Sequence, residues 1–145
     1  MLILLLAGYA GAMTDQARRW RRAHWWVGTA TLVLFLASGA YMRWLRAPPV
    51  RDLSDVERAV YRSRHLFLLL AALVNLAMST ALAETTGKTR RTAGALALAA
   101  PVLLVAAFLV EPQRGIQETI FAGPALYLLS LATVLLVILG WRRGA

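Results

Sequence analysis

Arg58, Tyr61, Arg62 and His65 stand at i, i+3, i+4 and i+7, the spacing that places four side chains on one face of a helix. They offer guanidinium donors, a phenol and an imidazole, groups that hold a phosphate, a carboxylate or a carbonyl oxygen. Glu111 and Gln113 close a later apolar run, Tyr41, Met42 and Arg43 close an earlier one, and Gln117 and Glu118 open the last, so all are placed to meet that face. A carboxylate at Glu111 would pair with Arg62 and orient His65 or hold it protonated. Two kinds of chemistry follow. One is a salt-bridge network that locks helix ends, with Glu111 as its centre. The other is a binding site for a quinone or a lipid headgroup, with His65 and Arg62 as donors and Tyr61, Arg58, Glu111 and Met42 around them.

The two histidines also raise haem ligation. His24 begins the first long apolar run and His65 the second, so an antiparallel pair separates them by about 25–30 Å along the membrane normal. That is too far for one iron. His65 and Met42 come level in such a pair and would suit haem or copper. The chain has no cysteine, which removes disulfides, thiolate ligands and thiol catalysis. No catalytic, nucleotide-binding or metal-ligand motif stands out, so no enzyme and no cofactor is expected, with haem or quinone as the alternative.

The elements that must position these groups are apolar and long. Four stretches of about twenty residues, Ala23 to Met42, His65 to Ala83, Thr92 to Val110 and Thr119 to Trp141, are almost free of charge, and each is long enough to cross a hydrocarbon core of about 30 Å. A composition 59% hydrophobic, with mean hydropathy +0.60, carries more apolar surface than a soluble domain of 145 residues can hide. In lipid the backbone must satisfy its own polar groups, so these runs read as spanning helices. The expected fold is all-α: an integral membrane four-helix bundle in antiparallel up-down order. Its helices are expected at about residues 20–46, 55–83, 92–111 and 118–141, in a single domain from residue 13 to 145. Ser54-Asp55-Val56-Glu57 is a capping box opening the second helix. Pro48-Pro49, Gly87 and Glu111-Pro112 with Gly115 punctuate the turns.

Residues 1–12 are short for a span and lack a basic segment before their apolar run, while Arg18, Arg19, Arg21 and Arg22 follow them. They are expected to be either a start-site extension ahead of Met13 or a short apolar N-terminal segment. The net charge of +9 bears on topology and lipid before nucleic acid, and no nucleic-acid partner is expected. Lysines and arginines divide nine to seven between the two sides, which puts both termini in the cytoplasm. The translocated side then carries Arg43, Arg46, Arg51, Arg58, Arg62 and Arg64, partly offset by Asp52, Asp55 and Glu57. Such a face is either paired along its own helix or a docking surface for an anionic partner or anionic lipids.

Inside the bundle, His24, Gly28, Thr31, Phe35, Ser38 and Met42 form one stripe, and Tyr61, His65, Leu68, Ala72, Asn75 and Ser79 another. Small and polar residues face other helices in lipid, so these two stripes are expected to pack together. Thr31, Asn75, Ser79, Ser130 and Thr133 are expected to form a shared polar layer. Pro101 cannot donate to the Ala97 carbonyl, which leaves that acceptor open to Asn75.

His24-Trp25-Trp26, Tyr61-Arg62-Ser63-Arg64-His65 with the Leu-rich sequence through Asn75, and Glu111-Pro112 resemble an uncharacterised group of small bacterial inner-membrane proteins with four helices. The resemblance covers residues 13 to 141 and implies a bacterial inner-membrane location, without an activity. On these grounds the expected role is a non-catalytic accessory or assembly subunit of a larger membrane complex. A quinone- or haem-binding redox protein is the alternative and a small transporter the third. No charged residue lies near the midplane, where transport sites usually sit.

Overall fold

The computed structural model describes residues 15–81, 88–113 and 120–144. These are helical almost throughout: α1 spans Asp15–Ala40, α2 Asp55–Ala81, α3 Lys88–Val110 and α4 Ala122–Gly144. A π-helical turn, Tyr41–Leu45, continues α1, and short 3₁₀ turns follow at Val50–Asp52 and Glu111–Gln113. Three of the four helices are long and apolar enough to cross a membrane, and α4 adds an apolar stretch over Ala122–Leu135.

The boundaries differ from expectation in physical ways. α1 begins at Asp15, ahead of the expected start at about residue 20, with an Arg18–Asp15 ion pair in its first turn, so the arginine cluster is part of the helix. α2 starts where the capping box puts it: Ser54 Oγ donates to Glu57 Oε2 at 2.8 Å, and the Glu57 N–H donates back to Ser54 Oγ at 3.3 Å. α3 begins four residues earlier than expected, at Lys88, because its charged first turn packs as helix, with Arg90 buried. α4 begins at Ala122, later than the expected 118. The expected start-site extension at residues 1–12, the Gly87 turn, and Gly115, Gln117 and Glu118 lie outside the described residues.

The stripe on α1 is buried at His24, Gly28, Thr31 and Ser38, and it meets α2. Early residues of α1 face late residues of α2: Gly28 lies against Leu76, and Ser38 and Gly39 lie against His65. A Cβ at Gly28 would come within 2.8 Å of Leu76 Cγ and 3.0 Å of its backbone nitrogen, so only glycine permits this approach. α3 and α4 use a second device. Ala93, Ala97, Ala100 and Ala107 on one and Ala122, Ala125 and Ala132 on the other recur at intervals that keep each set on one face, and all are buried. Leu68, Leu104, Phe108 and Leu129 fill the space between the helices.

The outward faces are apolar. Val33 and Leu36 on α1, Leu66 and Leu73 on α2, Val102 and Leu109 on α3, and Val134 and Val137 on α4 are each more than half exposed. An apolar girdle on every helix is a surface that water does not favour.

Candidate functional site

The end of the bundle formed by the late part of α1 and the early part of α2 carries most of the polar side chains picked out from the sequence, and they divide into two groups. The first group is buried. Glu111 is 1% exposed, and its Oε2 accepts Arg64 Nε at 2.5 Å. Its Oε1 accepts the N–H groups of Phe121 at 2.7 Å and Ala122 at 2.8 Å. Those two donors belong to the start of α4, where no intrahelical acceptor exists and a negative charge is favoured. Pro124 has no N–H, and Ala125 donates to the Phe121 carbonyl, so one carboxylate largely completes the helix start. Glu111 therefore pairs with Arg64, not with Arg62 or His65, and ties α2, α3 and α4 together. Arg64 lies on the same face as Tyr61, Leu68 and Ala71, one position over from the stripe through His65, which is why it turns inward.

Tyr61 belongs to this structural group as well. It is buried, its hydroxyl accepts Arg46 Nε at 3.0 Å, and its ring meets Phe108 edge to face at 5.8 Å between centroids. The Arg46 guanidinium lies 5.0 Å from the Tyr61 ring centroid. Arg58 pairs with Asp55 along its own helix. Neither Tyr61 nor Arg58 joins His65 in a site.

The second group lines an open cleft of about 430 Å³ formed by Gly39, Met42, Arg43, Pro49, Val50, Arg51, Arg62 and His65. His65 is held firmly. Its Nδ1 is 2.8 Å from Ser38 Oγ, Phe35 stacks on its ring at 4.1 Å between centroids, and Gly39 lies beside Cε1. His65 meets Ser38 and Gly39, one turn short of the expected level with Met42, although both His65 and Met42 line the cleft. Arg62 is exposed and makes no hydrogen bond or ion pair among the described residues. Arg43 lies 5.5 Å from the ring centroid of Trp44, and Arg51 pairs with the exposed Asp52 at 3.4 Å. No carboxylate lines the cleft among the described residues.

The polar layer takes a different form from the expected one. Asn75 Nδ2 donates to the Ala97 carbonyl at 2.8 Å, the acceptor that Pro101 leaves open, and to the Ala71 carbonyl at 3.0 Å. With its amide nitrogen so used, its Oδ1 faces His24 Nδ1 at 2.8 Å and takes that proton. His24, not Thr31, is thus the partner of Asn75. Thr31 and Ser79 are buried but bond within their own helices, to Val27 and Leu76. Ser130 and Thr133 do not belong to the layer: both are exposed on α4, and Thr133 bonds back to Leu129. Ala125, Leu129 and Ala132 form the face of α4 that packs inward, which turns the hydroxyls outward.

His24 and Ser38 are fourteen residues apart on α1, about 21 Å along the helix, so the two histidines occupy separate ends of the α1–α2 contact. Sequence reasoning missed the Arg64–Glu111 pair and the His24–Asn75 bond. The available signals were the position of Arg64 one turn before Leu68 and that of His24 at the head of the α1 stripe. In comparisons with protein-family models, curated proteins and solved structures, the chain matches none.

Proposed function

We propose that the chain is a non-catalytic integral membrane protein, an antiparallel four-helix bundle of the bacterial inner membrane with both termini cytoplasmic. It acts as an accessory or assembly subunit whose external end receives an anionic group. The observation that carries this reading is the cleft of Arg43, Arg51, Arg62 and His65, which gathers guanidinium groups without a lining carboxylate. Like charges brought together favour an anion between them, and guanidinium binds carboxylate and phosphate with paired hydrogen bonds. Glu111, the one carboxylate deep in this end of the described bundle, is already committed to Arg64 and to the start of α4. The apolar girdle supports a lipid setting, and the arginines at the start of α1 support its orientation.

The test is recovery of the intact protein from native membranes in polymer discs, followed by mass spectrometry of what accompanies it. A stoichiometric larger complex that is lost from an Arg43→Ala/Arg62→Ala variant supports the accessory role. Wild-type protein recovered alone, with an unaltered profile in the variant, counts against it.

A quinone- or haem-binding role is the second reading. It rests on Met42 and His65 in one cleft and on an apolar groove of about 270 Å³ bordered by Ser38, Tyr41 and Phe108 on the other side of the Ser38–His65 bond. A Soret band, or quinone extracted in proportion to protein, would bring it forward.

A further inference from the structure

We infer that the cleft between the π-helical turn and α2 is a site for the phosphodiester headgroup of an anionic phospholipid. The inference rests on the reading of this end as anion-binding and names the anion.

Three features favour a lipid phosphodiester. The first is depth. Arg43 lies beside Trp44, and Trp44 and Leu45 are 72% and 74% exposed, so the π-helical turn that supplies Arg43 to the cleft also presents an exposed indole and leucine. Indole rings prefer the headgroup level, where lipid phosphates also lie. The second is the donor set. Arg62 lacks a partner among the described residues, and His65 Nδ1 is occupied by Ser38. Because Ser38 Oγ gives its own proton to the Phe35 carbonyl, it accepts from Nδ1–H, and Nε2 donates to an anion only when the ring is imidazolium. Ser38 Oγ also lies 2.8 Å from the Phe35 carbonyl, so the hydroxyl, its acceptor and the stacked Phe35 fix the imidazole before any ligand arrives. Two arginines from different elements, Arg43 of the π-helical turn and Arg62 of α2, line the same cleft, and guanidinium groups pair with the free oxygens of a phosphodiester.

The third feature is sign. A zwitterionic headgroup carries the same phosphodiester, but its ammonium would sit beside Arg43 and Arg62 with no carboxylate in the lining, while the neighbouring Asp52 is already paired with Arg51. An uncharged polyol headgroup meets no such repulsion. The site therefore prefers phosphatidylglycerol to phosphatidylcholine, with Met42, Pro49 and Val50 as the apolar wall.

The test uses the full-length purified protein and native mass spectrometry from detergent. Phosphatidylglycerol, phosphatidylcholine and inorganic phosphate are titrated separately against wild type, the Arg43→Ala/Arg62→Ala variant and an Arg18→Ala control at the other end of α1. Wild type and the control should retain phosphatidylglycerol about tenfold better than phosphatidylcholine, and the double variant should lose most of that preference while keeping wild-type helical circular dichroism. Should the double variant misfold, Arg62→Gln, a change at an exposed side chain, is the second probe and should lower retention in the same direction.

Equal retention of the two lipids by wild type, or an unchanged preference in the arginine variants, overturns the lipid assignment. Inorganic phosphate bound as tightly as phosphatidylglycerol also overturns it, while leaving an anion site in place. Failure of all three probes to bind removes the anion reading itself.

Discussion

Glu111→Gln is the perturbation that most sharply separates a structural from a binding role at this end of the bundle. The wild-type carboxylate is 1% exposed and faces a guanidinium whose side chain is 9% exposed, and it also accepts two N–H groups of α4. Glutamine keeps the size and one oxygen, which can continue to accept from Phe121 or Ala122. Its amide nitrogen, however, replaces the Oε2 acceptor and presents donor to donor against Arg64 Nε. Leaving one member of a buried pair uncompensated costs about 3–5 kcal/mol. At about 2–4 °C per kcal/mol for a chain of this size, melting in detergent should fall by about 10 °C. Arg64→Met should cost less, about 1–3 kcal/mol, because Glu111 keeps its two backbone donors. In the double variant neither charge is stranded, so it should be more stable than Glu111→Gln alone, with a coupling of about 1–3 kcal/mol in the cycle. Thermal denaturation followed by circular dichroism reads all four proteins. A Glu111→Gln melt within about 2 °C of wild type, or a strictly additive cycle, would refute the argument.

Asn75→Leu removes the partner of both His24 Nδ1 and the Ala97 carbonyl and should cost about 1–3 kcal/mol in the same melt, whereas Ser130→Leu on the exposed face should change it by less than about 0.5 kcal/mol. Gly28→Ala should destabilise by about 1–3 kcal/mol, because the new methyl meets the backbone of Leu76 as well as its side chain; a neutral effect in detergent would argue against the α1–α2 contact. Reporter fusions after Val50 and after Gly87 should report opposite sides of the membrane, external and cytoplasmic; the reverse pattern would invert the topology.

The helical class and the inward stripe of α1 were legible because burial in a helix follows a period of 3.6, and His24, Gly28, Thr31 and Ser38 obey it. The Ser54–Glu57 box was legible because a cap depends on neighbours in sequence. The partner of Glu111 was not. Arg62, Arg64 and His65 fall within one turn of α2 at directions about 60–160° apart, and only the packing of Leu68 and Ala71 in the bundle decides which of them turns inward. The α1–α2 register was likewise hidden, since a shift of one turn preserves both stripes; Gly28 against Leu76 fixes it sterically. Ser130 and Thr133 misled because hydroxyls bond readily within their own helix, as Thr133 does with Leu129, and so need no neighbour in the bundle.

On the proposed function, the end of the bundle that carries Arg43, Arg62 and His65 is its binding surface. The most direct measurement is the lipid, quinone and protein profile that accompanies wild type and His65→Ala extracted from native membranes, normalised to folded protein. A companion present with wild type should fall by about tenfold with His65→Ala, while Glu111→Gln should lose companion only in proportion to the folded protein it loses. Identical profiles for wild type and His65→Ala would contradict it.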